Sequence, residues 1–137
     1  MTTLNKSAAE ISRSYDVHAA TDVTGFSFLG HLHEMMGGRL SCRIDGSAVP
    51  VLPGAWQAAD DCLYTAAGQR NRNHTGPFVR FENVPFAMQE ILFDPQTSGG
   101  LLLAVVRKRL KTSGTSCKKP VSPHKSWEKS QRSRTPK

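Results

Sequence analysis

In the stretch HAATDVTGFSFLGH, residues 18 to 31, Thr21, Asp22 and Thr24 offer side-chain oxygens just ahead of Gly25 and an apolar-periodic run. A carboxylate at a helix N-terminus satisfies free backbone N–H groups and meets the positive end of the helix dipole. The same geometry has a second use: the helix start offers N–H donors to a phosphate, and Asp22 offers oxygen to Mg²⁺. Spacing alone leaves both uses open. Mg²⁺ takes one or two carboxylates plus phosphate oxygens and water, so one aspartate makes a partial site that needs ligands from elsewhere.

A second candidate is DPQTSGG, residues 94 to 100. Pro95 restricts Asp94 toward extended geometry, and Gly99-Gly100 permits a positive-φ turn before the next strand. It is either an ordinary strand-entry turn or a loop whose Thr97, Ser98 and backbone N–H groups approach an anion. It lacks the Gly-Lys-Ser/Thr ending of a Walker loop. QRNRN, residues 69 to 73, places Asn71 and Asn73 among Arg70 and Arg72, as a solvated loop or a contact to phosphate or an acidic partner. Cys42, Cys62 and Cys117 form no CxxC pair, and their odd number argues against a disulfide framework. The histidines form no HExxH; His31 and His33, two apart, face different sides of a helix. A zinc site is not expected.

These residues need elements to hold them. Val17, Ala19 and Ala20 suit a short strand over 15–20. Phe28, Leu32 and Met35 keep helical spacing, which predicts a helix over 25–36 with Thr24 as N-cap and Gly37-Gly38 as stop. RLSCRID alternates as a half-buried strand ended by Asp45-Gly46. Pro53 suits a first helical position ahead of a helix from Ala55 to Ala67. GQRNRNHTGPF predicts a loop, FVRFENV a short strand, and AMQEILFD a helix running into a strand. The unbroken apolar run LLLAVV predicts a strand buried on both faces. This alternation predicts an α/β or α+β domain, with helices packed on a mixed sheet.

The formal charge of +7 is uneven: residues 107 to 137 hold eleven Lys or Arg and one acid, Glu128, while residues 1 to 106 carry a formal −3. Basicity therefore belongs to the tail and does not mark the rest as a nucleic-acid binder. The tail has Trp127 as its only aromatic and no recognisable nucleic-acid module, and its low apolar content predicts disorder. No apolar run is long enough to span a membrane, and the N-terminus lacks a signal-peptide core, so a cytoplasmic protein is expected. Residues 1 to 14 are expected to be a linker or frayed helix, 15 to 106 the domain, and 107 to 137 the tail.

Taken together, TDVTGF…LGHLHEM and FDPQTSGGLLLAV resemble, in order and separation, the two hallmark motifs of the C-terminal half of selenophosphate synthetase (selenide, water dikinase). VPVLPGA and the Gly68-to-Asn71 spacing of GQRN resemble intervening segments of that family. The likeness covers roughly residues 15 to 106. More distant kin include aminoimidazole ribonucleotide synthetase, whose C-terminal domain has the mixed sheet and packed helices implied here. The resemblance implies ATP and selenide as substrates, Mg²⁺ as cofactor, selenophosphate for selenocysteine synthesis as product, and a cytosolic homodimer. It implies that Asp22 is a metal ligand, matching the aspartate of the TDVTGFG motif. Thr21, Thr24, Gly25, Thr97 and Ser98 are the further candidates for nucleotide contact, and no residue is assigned as catalytic.

The sequence departs from the family in three ways. The N-terminal half, which would carry the nucleophilic Cys or Sec and the other metal aspartates, is not in this chain. Ser27 stands where the family usually has Gly; a serine can follow Gly25 within a helix, so a mild effect is expected unless the backbone there must be approached closely. After LLLAV the apolar periodicity expected of a closing helix and strand is lost, so the domain is expected to end incomplete and the tail to be out-of-frame or otherwise non-native. The leading expectation is a C-terminal part of the synthetase, inactive alone and partnered by the missing half. The alternative is a non-catalytic remnant that at most binds an intact synthetase subunit.

Overall fold

The structure, a computed structural model, describes residues 4–106. The expected tail therefore lies outside the described residues. The elements run in the order α1 (Lys6–Ser12), β1 (Val17–Asp22), α2 (Ser27–Met36), α3 (Ala55–Asp60), α4 (Ala66–Thr75), α5 (Phe86–Phe93) and β2 (Leu101–Val105), with 3₁₀ turns at Gly46–Ala48 and Gly76–Phe78. The mixture of helix and sheet matches the expected class.

β1 and β2, the first and last strands, pair antiparallel with Asp22 opposite Leu101 and Val17 opposite Val105. α2 packs on β1 and on α4 and α5, while α3 packs on α5. The core is Leu29 and Leu32 of α2 against Met88, Leu92 and Phe93 of α5, with Phe28, Met35, Val79, Phe81 and Leu102 around it. The helical spacing in α2 therefore marks the core, and Gly37 ends that helix in the left-handed region at φ 60°.

Several expectations fail. RLSCRID forms no strand: residues 40–45 are irregular, and Asp45 caps the Gly46–Ala48 turn by accepting from the Ser47 N–H at 3.0 Å. FVRFENV is likewise irregular apart from the turn at its start. Both alternate in sequence, but among the described residues neither meets a neighbouring strand, and alternation without a partner makes no ladder. The helix expected from Ala55 to Ala67 is two helices broken at 61–65, where Cys62 takes φ +61°. It starts after Gly54 at φ +82°, with Pro53 outside it. QRNRN, expected as a loop, lies within α4, whose first turn is capped by Thr65.

LLLAVV is a strand, but not one buried on both faces. Exposure alternates along β2: Leu102 and Ala104 are half-buried, and Leu101, Leu103 and Val105 are exposed. Helices cover one face only of the two-stranded sheet, and an all-apolar run does not reveal which face that is.

Candidate functional site

The chain folds so that its two chemistry-bearing motifs become neighbours. β1 ends at Asp22, yet its hydrogen bonding continues past it. The Val23 N–H donates to the Gly100 carbonyl at 2.9 Å, the Gly99 N–H to the Val23 carbonyl at 2.9 Å, and the Gln96 N–H to the Thr24 carbonyl at 3.1 Å. Gly99 is required by this approach: a Cβ there would stand 2.9 Å from the Val23 carbonyl oxygen. TDVTG and DPQTSGG are thus the two sides of one hydrogen-bonded ladder.

Asn71 locks the pair. Its side-chain amide donates to the Gly25 carbonyl at 3.0 Å and to the Phe93 carbonyl at 3.2 Å, touching the residue that follows one motif strand and the residue that opens the other motif. The amide of Asn71 thus bonds inside the fold rather than standing in a solvated loop. Asp94 is also spent internally. It accepts from the Thr65 hydroxyl at 3.2 Å and from the Gln96 amide at 3.2 Å, so the cap of α4 and the second motif share one carboxylate.

Thr24 does not cap α2. The helix begins at Ser27 with no side-chain cap, and the Thr24 hydroxyl lies 3.1 Å from His31 Nε2 instead. The Thr24 carbonyl accepts from Ser27 N–H at 3.0 Å as well as from Gln96. Ser27 is fully buried and sits at φ +71°, with its hydroxyl accepting from the Gly30 N–H at 3.4 Å. The expectation of an ordinary helical serine is therefore corrected, because this backbone conformation favours glycine.

Asp22 is exposed at the end of β1, and among the described residues no ion pair or side-chain hydrogen bond engages its carboxylate. Thr21 is half-buried and donates to the Asp22 carbonyl at 3.2 Å. Gly25, Thr97 and Ser98 are exposed. Among the described residues no three His, Cys, Asp or Glu gather into a cage for a metal. A single free carboxylate fits one ligand position of Mg²⁺, a cation that keeps several waters and takes further oxygens from phosphate. Beside the ladder a cleft of about 830 Å³ opens, lined by apolar side chains such as Val23, Phe28, Val51 and Leu102 and also by Gln96, Ser98 and Gly99 of the second motif.

Sequence reasoning missed the groups that hold this site together. The carboxylate of Glu90, 6% exposed, pairs with Arg72 and accepts from Gln69 at 2.8 Å. The Arg72 guanidinium also lies 5.3 Å from the ring centres of Phe86 and Phe93. These contacts seat α4 on α5 and so place Asn71. A Glu in an apolar helix facing an Arg in a polar one is the signal that was available.

The family model described as "AIR synthase related protein, C-terminal domain" matches residues 1–121. The chain is 61% identical over 106 residues to a selenide, water dikinase of Agathobacter rectalis, covering 77% of this chain and 31% of that protein. It is 50% identical over 105 residues to a selenide, water dikinase of Desulfitobacterium hafniense, again covering 77% and 31%. It is 44% identical over 106 residues to one of Treponema denticola, covering 77% and 30%. The chain thus spans about a third of the length of these curated relatives.

Proposed function

The chain belongs to the AIR synthase related protein C-terminal domain family, and on that premise we propose that it is the C-terminal part of a selenide, water dikinase. In this reading it supplies one wall of a Mg²⁺–ATP site at which selenide is phosphorylated. The observation that carries it is the convergence of TDVTG and DPQTSGG into one ladder, with the free Asp22 carboxylate at its edge.

Asp22 would hold Mg²⁺, which when bound supplies charge neutralisation on the polyphosphate. Phosphoryl transfer depends mostly on positioning and electrostatics, and that is what these residues can provide. The ladder fixes where Asp22 stands, Asn71 fixes the spacing of the two loops, and Gly99 lets their backbones meet. The nucleophile and the remaining carboxylates would come from the other two-thirds of a synthetase, as a separate polypeptide or an intact subunit. By itself the chain is expected to make no selenophosphate.

The test is reconstitution. The chain is mixed with the separately expressed remainder of a selenide, water dikinase, and ATP- and selenide-dependent selenophosphate is followed by ³¹P NMR. Activity that requires both pieces and is lost in Asp22→Asn is expected. Turnover by the chain alone, or a reconstituted activity indifferent to Asp22→Asn, would overturn the reading.

A further inference from the structure

We propose that the exposed ring of Phe26 is the platform on which the base of the nucleotide stacks. This rests on the reading of the first motif as the edge of a Mg²⁺–ATP site. It goes further by giving that site a contact to the base, beside its metal and phosphate contacts.

Phe26, Gly30 and His31 are the parts of the first motif that neither the ladder nor the bonds of Asn71 use. Phe26 is 63% exposed. It lies in a tight turn, closed by the Ser27 N–H donating to the Thr24 carbonyl at 3.0 Å. Two further bonds fix this turn. The Gln96 N–H donates to the same carbonyl, and the Asn71 amide donates to the Gly25 carbonyl. The residues that follow make room for the ring. Ser27 is fully buried at φ +71°, a conformation that costs an L-residue energy and that tends to persist at functional sites. Gly30 has no side chain where a Cβ would stand 3.1 Å from the Phe26 Cβ. The ring of the buried His31, its centre 5.6 Å from that of Phe26 and tilted by 54°, supports the Phe26 ring from one side. A strained residue, a glycine and a buried imidazole thus hold an aromatic side chain out in solvent.

The setting of the ring suits a base. The groups bonded into its turn belong to Thr24, Gly25, Ser27, Asn71 and Gln96, with no large apolar side chain among them. A protein interface centres on a contiguous apolar patch. A single ring with polar groups around it fits a flat ligand that is apolar on its faces and polar at its edge, which describes a nucleobase. The reach is sufficient as well. Phe26 follows Asp22 by four residues, which caps their Cα separation at roughly 14 Å, within the span of an extended nucleoside triphosphate.

The test mixes the full chain with the remainder of a selenide, water dikinase and reads binding rather than turnover, without selenide. Two probes are compared in the presence of Mg²⁺ by isothermal titration calorimetry: ATP, which has a base, and inorganic tripolyphosphate, which has none. Phe26→Ala is expected to weaken ATP about tenfold and to leave tripolyphosphate unchanged, which also shows that the variant is folded. Phe26→Tyr is expected to bind ATP like the unaltered chain. Phe26→Leu, apolar but without a ring, is expected to bind it like Phe26→Ala. In NMR, ATP but not tripolyphosphate should shift the ring protons of Phe26. Equal losses for both probes, no loss of ATP in Phe26→Ala, or full affinity in Phe26→Leu would overturn the proposal. So would a Phe26→Ala chain that no longer joins the remainder, because the ring would then be an interface contact. If Asp22→Asn weakens both probes while Phe26→Ala spares ATP, this proposal fails and the parent reading stands. If neither probe binds, or Asp22→Asn changes neither, the parent reading falls and this one with it.

Discussion

Ser27 shows how one atom group can work against the backbone it sits on. At φ +71° an L-residue loses roughly 1–2 kcal/mol relative to its right-handed conformation, a penalty glycine does not carry. Its hydroxyl recovers part of this through a long bond from the Gly30 N–H, of the kind worth about 1 kcal/mol or less. Ser27→Gly is therefore expected to stabilise the fold by up to about 1 kcal/mol, and Ser27→Ala, which keeps the strain and loses the acceptor, to destabilise it. Opposite shifts of the thermal midpoint check both signs. Asn71 gives the converse case. Asn71→Leu leaves the Gly25 and Phe93 carbonyls without their donor, which is expected to cost about 1–3 kcal/mol in urea unfolding. Asp22 and Thr24 were legible as site candidates because oxygen-bearing residues before a glycine and a helix stand out locally. The part played by Asn71 was not, since its partners lie 46 and 22 residues away and no local pattern encodes them.

Helices α4 and α5 meet through a charge pair rather than through apolar surface alone. α4 is polar along most of its length, so its seat depends on Arg72, which pairs with the buried Glu90 and covers Phe86 and Phe93. Removing one member of a buried pair leaves an uncompensated charge, so Glu90→Ala or Arg72→Ala is expected to cost about 3–5 kcal/mol. The double variant is expected to cost less than the sum of the two, as a double-mutant cycle on unfolding free energies would measure. The irregular segments around Arg43 and Glu82 are joined differently, at the surface. Side-chain hydrogen bonds from Arg80 and then Arg43, with their charge, hold the Glu82 carboxyl below the usual carboxylate range. A lowered folded value means that its contribution is present above the ordinary carboxylate range and lost as pH falls through the folded value. The guanidinium resonances of Arg80 and Arg43 should shift as pH falls through that window, and Arg43→Ala should move the Glu82 transition up toward the ordinary carboxylate range. The same segments explain why element reading from sequence succeeded for α2 and failed for RLSCRID and FVRFENV. α2 carries its own hydrogen bonds, so periodicity and a glycine stop suffice. A strand needs a partner, and nothing within seven residues says whether one is there.

At the scale of the whole molecule, the sheet has two strands, and among the described residues each pairs only with the other. Its uncovered face carries Leu101 and Leu103, each 38% exposed, and Val105 at 47%. Apolar side chains on a short sheet with open edges template pairing with another chain. The chain is therefore expected to self-associate with rising concentration. Leu103 lies opposite Ala20 near the middle of the register, so a charge there disturbs association most and the helix-facing core least. Leu103→Lys is expected to shift the species toward monomer in size-exclusion chromatography with light scattering, at unchanged helix content by circular dichroism. The relatives' greater length sharpens this expectation, because about two-thirds of a selenide, water dikinase has no counterpart in the chain. If that remainder covers the sheet, adding it should dissolve the self-association and leave Leu103→Lys impaired in reconstitution. A chain that stays monomeric at every concentration would show that the exposed strand face does not drive assembly. The Leu103→Lys effect on reconstitution would then have to come from elsewhere.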